Sequence, residues 1–194
     1  MTTGNLLSSR ALVLCAICIA LNMALGQAVS FLNLPIFLDS LGTMIAAALF
    51  GPVIGGLTGL ATNLIWGLIQ GPTAAAFAPV SLVIGVAAGL LARAGFFRSW
   101  WQAALAGVII SVALSVVAVP IRIYLFGGVT GSGADFATAY LLKVGESLFG
   151  SVLFTVIGAN LIDKVVTAVL TWAILRGLPA RSTADWPYLV HSRR

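Results

Sequence analysis

Charge is what this sequence lacks. Only 8% of its 194 residues are charged and 60% are hydrophobic, giving a mean hydropathy of +1.11. A soluble domain carries about 25% charged residues. With so few, a chain cannot cover an apolar core with polar surface, which excludes an ordinary soluble fold and leaves the bilayer as solvent. Histidine is almost missing: His191, three residues from the end, is the single one. A Ser–His or Cys–His pair inside the membrane is therefore excluded. Gly131-Ser132-Gly133 reads as a flexible loop rather than part of a serine-hydrolase motif. Lysine occurs only as Lys143 and Lys164, and no G-x-x-x-x-G-K-[ST] phosphate loop exists. Any ATP hydrolysis must come from a partner. Cys15 and Cys18 are the two cysteines. With no His or Cys cluster beside them they read as packing residues, so neither metal nor cofactor is expected.

Long apolar runs are what is present. A spanning helix needs about 20 apolar residues. Six runs approach this: Ala11 to Val29, Phe37 to just before Gly51-Pro52, Val53 to Gln70, Ala74 to Leu91, Gln102 to Val119, and one within Leu148 to Leu175. Gly51-Pro52 and Gly71-Pro72 punctuate otherwise continuous apolar sequence. The second run is short, which implies tilt or partial re-entry. Residues 140–175 are compatible with one long helix, a broken one or two crossings, because Lys143, Glu146, Asp163 and Lys164 interrupt them. Barrel-type alternation is absent, so the fold class is an all-α membrane protein, a six-transmembrane-helix bundle.

Arginine sets the orientation, because positive loops stay cytoplasmic. Arg10 precedes the first run, Arg93 and Arg98 follow the fourth, and Arg176, Arg181, Arg193 and Arg194 follow the last. Six crossings place all of these on one side, which predicts cytoplasmic N- and C-termini. The division expected is a membrane domain over 1–179 and a basic cytoplasmic tail over 180–194. The net charge of +5 is thus a topology signal. It does not indicate nucleic-acid binding, since the bases are few and flank the membrane runs. Arg10 and the run after it imitate a signal peptide, with Ala24 to Ala28 as a cleavage-like stretch. The run is long enough to span, so a mature helix is expected.

Polar residues inside apolar runs are costly and usually functional. Asn22, Gln27, Asp39, Thr43, Asn63, Trp66, Gln70, Arg122, Asn160, Asp163 and Lys164 all fall towards the non-cytoplasmic ends of their runs. Asn63, Trp66 and Gln70 follow a three-then-four spacing and share a helix face. The set predicts a substrate pocket opening outward. The competing account is interfacial anchoring and internal ion pairs, for example Asp163 with Arg122. Gly127-Gly128, Gly131 and Gly133 form a loop, and 135–147 a short helix, either a lid over the pocket or an ordinary connector. Ala16, Ala20, Ala24 and Ala28 recur every four residues, a small-residue face suited to close helix contact, within this bundle or with another protein.

The run Leu34-Pro35-Ile36-Phe37-Leu38-Asp39-Ser40-Leu41-Gly42-Thr43, followed by residues 46–56, resembles the substrate-binding S components of energy-coupling factor (ECF) transporters, most closely the riboflavin-type branch. Asn63-Leu64-Ile65 through Ile69-Gln70-Gly71 fits the same pattern, as does Asn160-Leu161-Ile162-Asp163-Lys164 with the helix ending Arg176-Gly177-Leu178-Pro179. The resemblance covers roughly residues 10–179. It implies a six-helix protein in the cell membrane that is not an enzyme. Such a protein binds a vitamin-like ligand beneath its outer loops and works with a transmembrane T subunit and two cytoplasmic ATPases. It also implies that an A-x-x-x-A face faces the T subunit. Ala16 and Ala20 match that motif, with Ala24 continuing the face. Trp100, Trp101, Trp172 and Trp186 lie near the cytoplasmic side as interface anchors, leaving Trp66 to stack on a ligand. Riboflavin is the default cargo. A stand-alone transporter or channel, and a non-transport scaffold, stay open as alternatives.

Overall fold

The computed structural model describes residues 9–178. The tail over 180–194, with Arg181, Trp186, His191, Arg193 and Arg194, lies outside the described residues. Eight helices follow one another: α1 (Ser9–Phe31), α2 (Leu41–Phe50), α3 (Pro52–Gln70), α4 (Pro72–Ala76), α5 (Ala78–Arg93), α6 (Trp100–Phe126), α7 (Asp135–Lys143) and α8 (Leu148–Gly177). Among the described residues there is no strand. α1, α3, α6 and α8 are long and apolar enough to cross a membrane, while α2 and α5 are shorter apolar helices. The outer faces carry exposed Leu, Ile, Val and Phe, such as Leu68, Val116, Phe154 and Ile162. Such a surface is stable only against lipid.

Local chemistry explains the boundaries. Gly51 and Gly71 adopt φ values of 93° and 110°, where only glycine is at ease, and each is followed by a proline that opens the next helix. The fourth run divides in two at Phe77. Pro79 has no N–H to continue the α4 ladder, so α5 restarts at Ala78. α6 runs beyond the expected Val119, passing through Pro120 to Phe126. It stops where Gly127 turns left-handed and the amides of Gly127 and Gly128 return to the carbonyls of Ile123 and Arg122. In the region left undecided between one and two crossings, residues 140–143 end α7 and the rest of the apolar sequence is a single unbroken helix, α8, of 30 residues, capped by the Ser147 hydroxyl accepting from the Gly150 amide.

α2 is the hub. All ten of its residues are buried, and it packs against α1, α3, α5 and α8. Small residues allow that density. A Cβ on Gly42 would lie 2.1 Å from the Cys18 carbonyl oxygen, and one on Gly55 would lie 2.4 Å from the Ala47 Cβ. On the other side of the bundle α6 meets α8 just as closely: a Cβ on Gly107 would come within 2.5 Å of the Lys164 carbonyl oxygen. Hydroxyls in these apolar helices bond back to their own turn. Thr58, Thr62, Ser115 and Thr171 each donate to the carbonyl four residues earlier, at 2.7–2.8 Å.

Gly42→Ala is expected to lower the thermal denaturation midpoint in detergent, because the new Cβ meets fixed backbone. Gly158→Ala, whose Cβ would meet nothing within 4 Å, is expected to be neutral or to stabilise by up to ~1 kcal/mol through helix propensity. Equal midpoints for the two variants would contradict the close α1–α2 packing.

Candidate functional site

A cavity of about 370 Å³ opens where α1, α3 and α6 end, in the size range of small-molecule sites. α5, α6 and α8 give it an apolar lining through Ile84, Leu114, Ala118 and Val156. Gln27, Asn63, Gln70 and Asn160 supply uncharged polar groups, and Phe37, Trp66 and Phe77 supply aromatic surface. Phe77 stacks on Phe126 with ring centroids 5.8 Å apart, joining the α4–α5 break to the end of α6. Trp66 depends on a glycine across from it. A Cβ on Gly26 would sit 2.2 Å from the indole Cη2 and 3.1 Å from the Asp39 Cβ.

The α1–α2 loop closes one side of the cavity and is tied to α8 by charge. The Asp163 carboxylate accepts hydrogen bonds from the amides of Phe37 (3.1 Å) and Leu38 (2.7 Å) through Oδ1. Its Oδ2 pairs with the Lys164 ammonium. Lys164 also donates to the Ser40 hydroxyl at 2.7 Å and lies 3.4 Å from Asp39 Oδ1. Asp163 and Lys164 are fully buried, whereas the Asp39 side chain is 26% exposed. Burial raises the pKa of Asp39, Lys164 opposes the rise, and the Asp163 charge adds to it. This arrangement also moves the start of α2. A helix from Phe37 was expected, but the Phe37 and Leu38 amides are committed to Asp163 and Leu38 has a φ of 49°, so the helix begins at Leu41.

The α6–α7 loop closes the opposite side. The Arg122 guanidinium pairs with Asp135 and donates to the Gly128 carbonyl at 3.0 Å. The other oxygen of Asp135 accepts from the amides of Thr130, Gly131 and Ser132. Residues 130–133 line the cavity, and a Cβ on Gly133 would fall 2.4 Å from the Leu34 carbonyl oxygen, so the two loops abut. The pairing of Asp163 with Arg122 offered as an alternative does not occur: each has a nearer partner, Lys164 and Asp135 respectively. The short helix also differs from expectation. α7 ends at Lys143 and packs on α8, and no α7 residue lines the cavity, so the covering segment is the glycine loop before it.

Of the residues singled out from sequence, Gln27, Asp39, Asn63, Trp66, Gln70, Arg122, Asn160 and Lys164 line the cavity. Asn22, Thr43 and Asp163 do not, and each holds elements together instead. The Asn22 amide donates to the hydroxyls of Thr43 (2.9 Å) and Thr62 (3.1 Å) and accepts from the Gly42 amide (2.7 Å), joining α1, α2 and α3. Gly26, Ser30, Thr73, Phe77 and Ser81 are among the further lining residues and were missed. Nothing sets a lone serine or glycine apart in such a sequence, although Ser81 lies one turn after Phe77 on α5. Ala16, Ala20, Ala24 and Ala28 are all exposed, which removes packing within this bundle as their explanation. Trp100 and Trp101 are exposed, at 62% and 55%, whereas Trp172 is partly buried with Arg176 over its ring. Among the described residues no group of three His, Cys, Asp or Glu is placed to hold a metal.

Removing one member of a buried ion pair leaves the other charge uncompensated and costs about 3–5 kcal/mol. Asp163→Ala is therefore expected to destabilise strongly and to free the α1–α2 loop. Asp163→Leu combined with Lys164→Met is expected to cost less than the two single changes summed. Denaturation in detergent measures all three, and strict additivity would argue against coupling between the pair.

No curated protein sequence and no solved structure matches this chain. The family model described as "ECF transporter, substrate-specific component" matches residues 10–175, which takes in every element that builds the cavity and the exposed alanine face. The chain belongs to the family of ECF transporter substrate-specific components.

Proposed function

We propose that this protein captures a vitamin-like micronutrient, with riboflavin as first candidate, at the extracellular side of the cell membrane for ATP-driven import by partner subunits. Family membership implies a small-molecule substrate and association with T and ATPase subunits. The observation that carries the reading is the cavity itself, where aromatic surface from Phe37, Trp66 and Phe77 stands beside the amides of Gln27, Asn63, Gln70 and Asn160. A planar heterocycle with several carbonyl and N–H groups suits that mixture. In this reading the chain crosses the bilayer six times, through the four long helices together with α2 and α5, and both termini are cytoplasmic. The arginine distribution supports that topology.

The proposed cycle follows from the parts. Ligand enters the outward cavity and the loop over Gly127–Gly133 closes on it. The closed form presents α1 to a T subunit across Ala16, Ala20 and Ala24, whose small side chains allow close and reversible contact. Two ATPases bound to the T subunit then drive reorientation and release.

Riboflavin fluorescence is expected to quench on titration with the purified protein, with Trp66→Ala and Asn63→Ala each weakening binding about tenfold or more. A flat titration with folded protein would remove riboflavin as cargo. Ala16→Phe and Ala20→Phe are expected to abolish uptake in cells while leaving the dissociation constant unchanged. Normal uptake by both would refute the role assigned to the alanine face.

A further inference from the structure

Every charged group at the cavity already has a partner of opposite sign, and the balance is not neutral. The charged residues lining it are Asp39, Arg122 and Lys164. Arg122 is paired with Asp135, and that carboxylate is in turn held by three loop amides. Lys164 faces two carboxylates, Asp163 on its own helix and Asp39 on the α1–α2 loop. The five groups together sum to one negative charge. Its most accessible member is Asp39, the more distant of the two carboxylates facing Lys164 and the most exposed of the five side chains. The rest of the polar side chains lining it are mainly amides and hydroxyls, among them Gln27, Asn63, Gln70, Asn160, Ser30 and Ser81.

We infer that this cavity selects an uncharged or cationic ligand and discriminates against carboxylated and phosphorylated ones. An anion entering here would find both lining cations, Arg122 and Lys164, already neutralised by carboxylates. It would also have to take Arg122 or Lys164 away from a buried carboxylate, which is costly in a low-dielectric site. A ligand bearing N–H or O–H groups instead finds Asp39 and the amide oxygens as acceptors without breaking any ion pair. The inference rests on the binding role proposed above for this cavity, but not on riboflavin being the cargo.

The test sets uncharged compounds against anionic analogues on the purified full-length protein in detergent, by thermal shift and titration at pH 7. The probes are riboflavin and its 5′-phosphate, pyridoxal and its 5′-phosphate, nicotinamide and nicotinate, and biotin methyl ester and biotin. In whichever pair binds, the uncharged member is expected to bind about tenfold tighter or more. Asp39→Asn, checked for folding by size-exclusion chromatography, is expected to narrow that ratio by improving affinity for the anionic member. An anionic member that binds as tightly as its partner overturns the inference. Tightest binding of an uncharged compound other than riboflavin ends the riboflavin reading and supports the charge rule. Mass spectrometry of compounds retained through purification extends the readout beyond the panel, where a carboxylate or phosphate on the retained ligand overturns the rule.

Discussion

Lys164 sits in a thirty-residue apolar helix with almost no access to solvent, and the upper part of the bundle is arranged around satisfying it. An isolated ammonium at this depth would be prohibitively costly. Asp163 provides the nearest counter-charge, while Ser40 and Asp39 arrive from a loop more than a hundred residues earlier in the chain. Asp163 could not be buried without further donors either, and it obtains them from the Phe37 and Leu38 amides. A single buried charge thus fixes where the α1–α2 loop lies, where α2 starts, and which side of α8 faces inward. The same carboxylates that stabilise the lysine set the electrostatic character of the cavity beside it.

Arg122 repeats this logic on the opposite side. It emerges from α6 just past Pro120 and is held by Asp135 and the Gly128 carbonyl. The two ion clusters organise the two loops that meet at Gly133. Loops on a membrane protein face the same accounting as buried loops elsewhere, since each backbone N–H needs an acceptor. Here two aspartates, Asp135 and Asp163, accept from five such groups. That shared device brings Asp39, Arg122, Asp135, Asp163 and Lys164 together around the cavity.

Much of this was legible before any coordinates. Hydropathy located the apolar helices, Gly51-Pro52 and Gly71-Pro72 marked two breaks, and the three-then-four spacing of Asn63, Trp66 and Gln70 placed all three on the cavity. The failures have specific causes. Hydropathy is blind to the break at Phe77, because Pro79 acts through a missing donor and not through polarity. The start of α2 was misplaced because amide bonds to a carboxylate more than a hundred residues away leave no local trace. The partners of Arg122 and Asp163 depend on which helix ends converge, and the Asp163–Arg122 pair named as an example of the competing account does not form. Asn22 and Thr43 were picked out as polar residues in apolar runs and assigned to the pocket, because nothing in the sequence separates a residue that joins helices from one that lines a cavity.

The unequal lengths of the helices bear on how the protein rests in lipid. At 1.5 Å per residue α8 is about 45 Å long and α5 only about 24 Å, against a hydrocarbon thickness of about 30 Å. No one bilayer thickness matches both flanks of such a bundle. The membrane adjusts by thinning at one flank or the helices adjust by leaning, each at fractions of a kcal/mol per ångström. The mismatch thus acts as a built-in bias toward a leaning rather than an upright position in the bilayer.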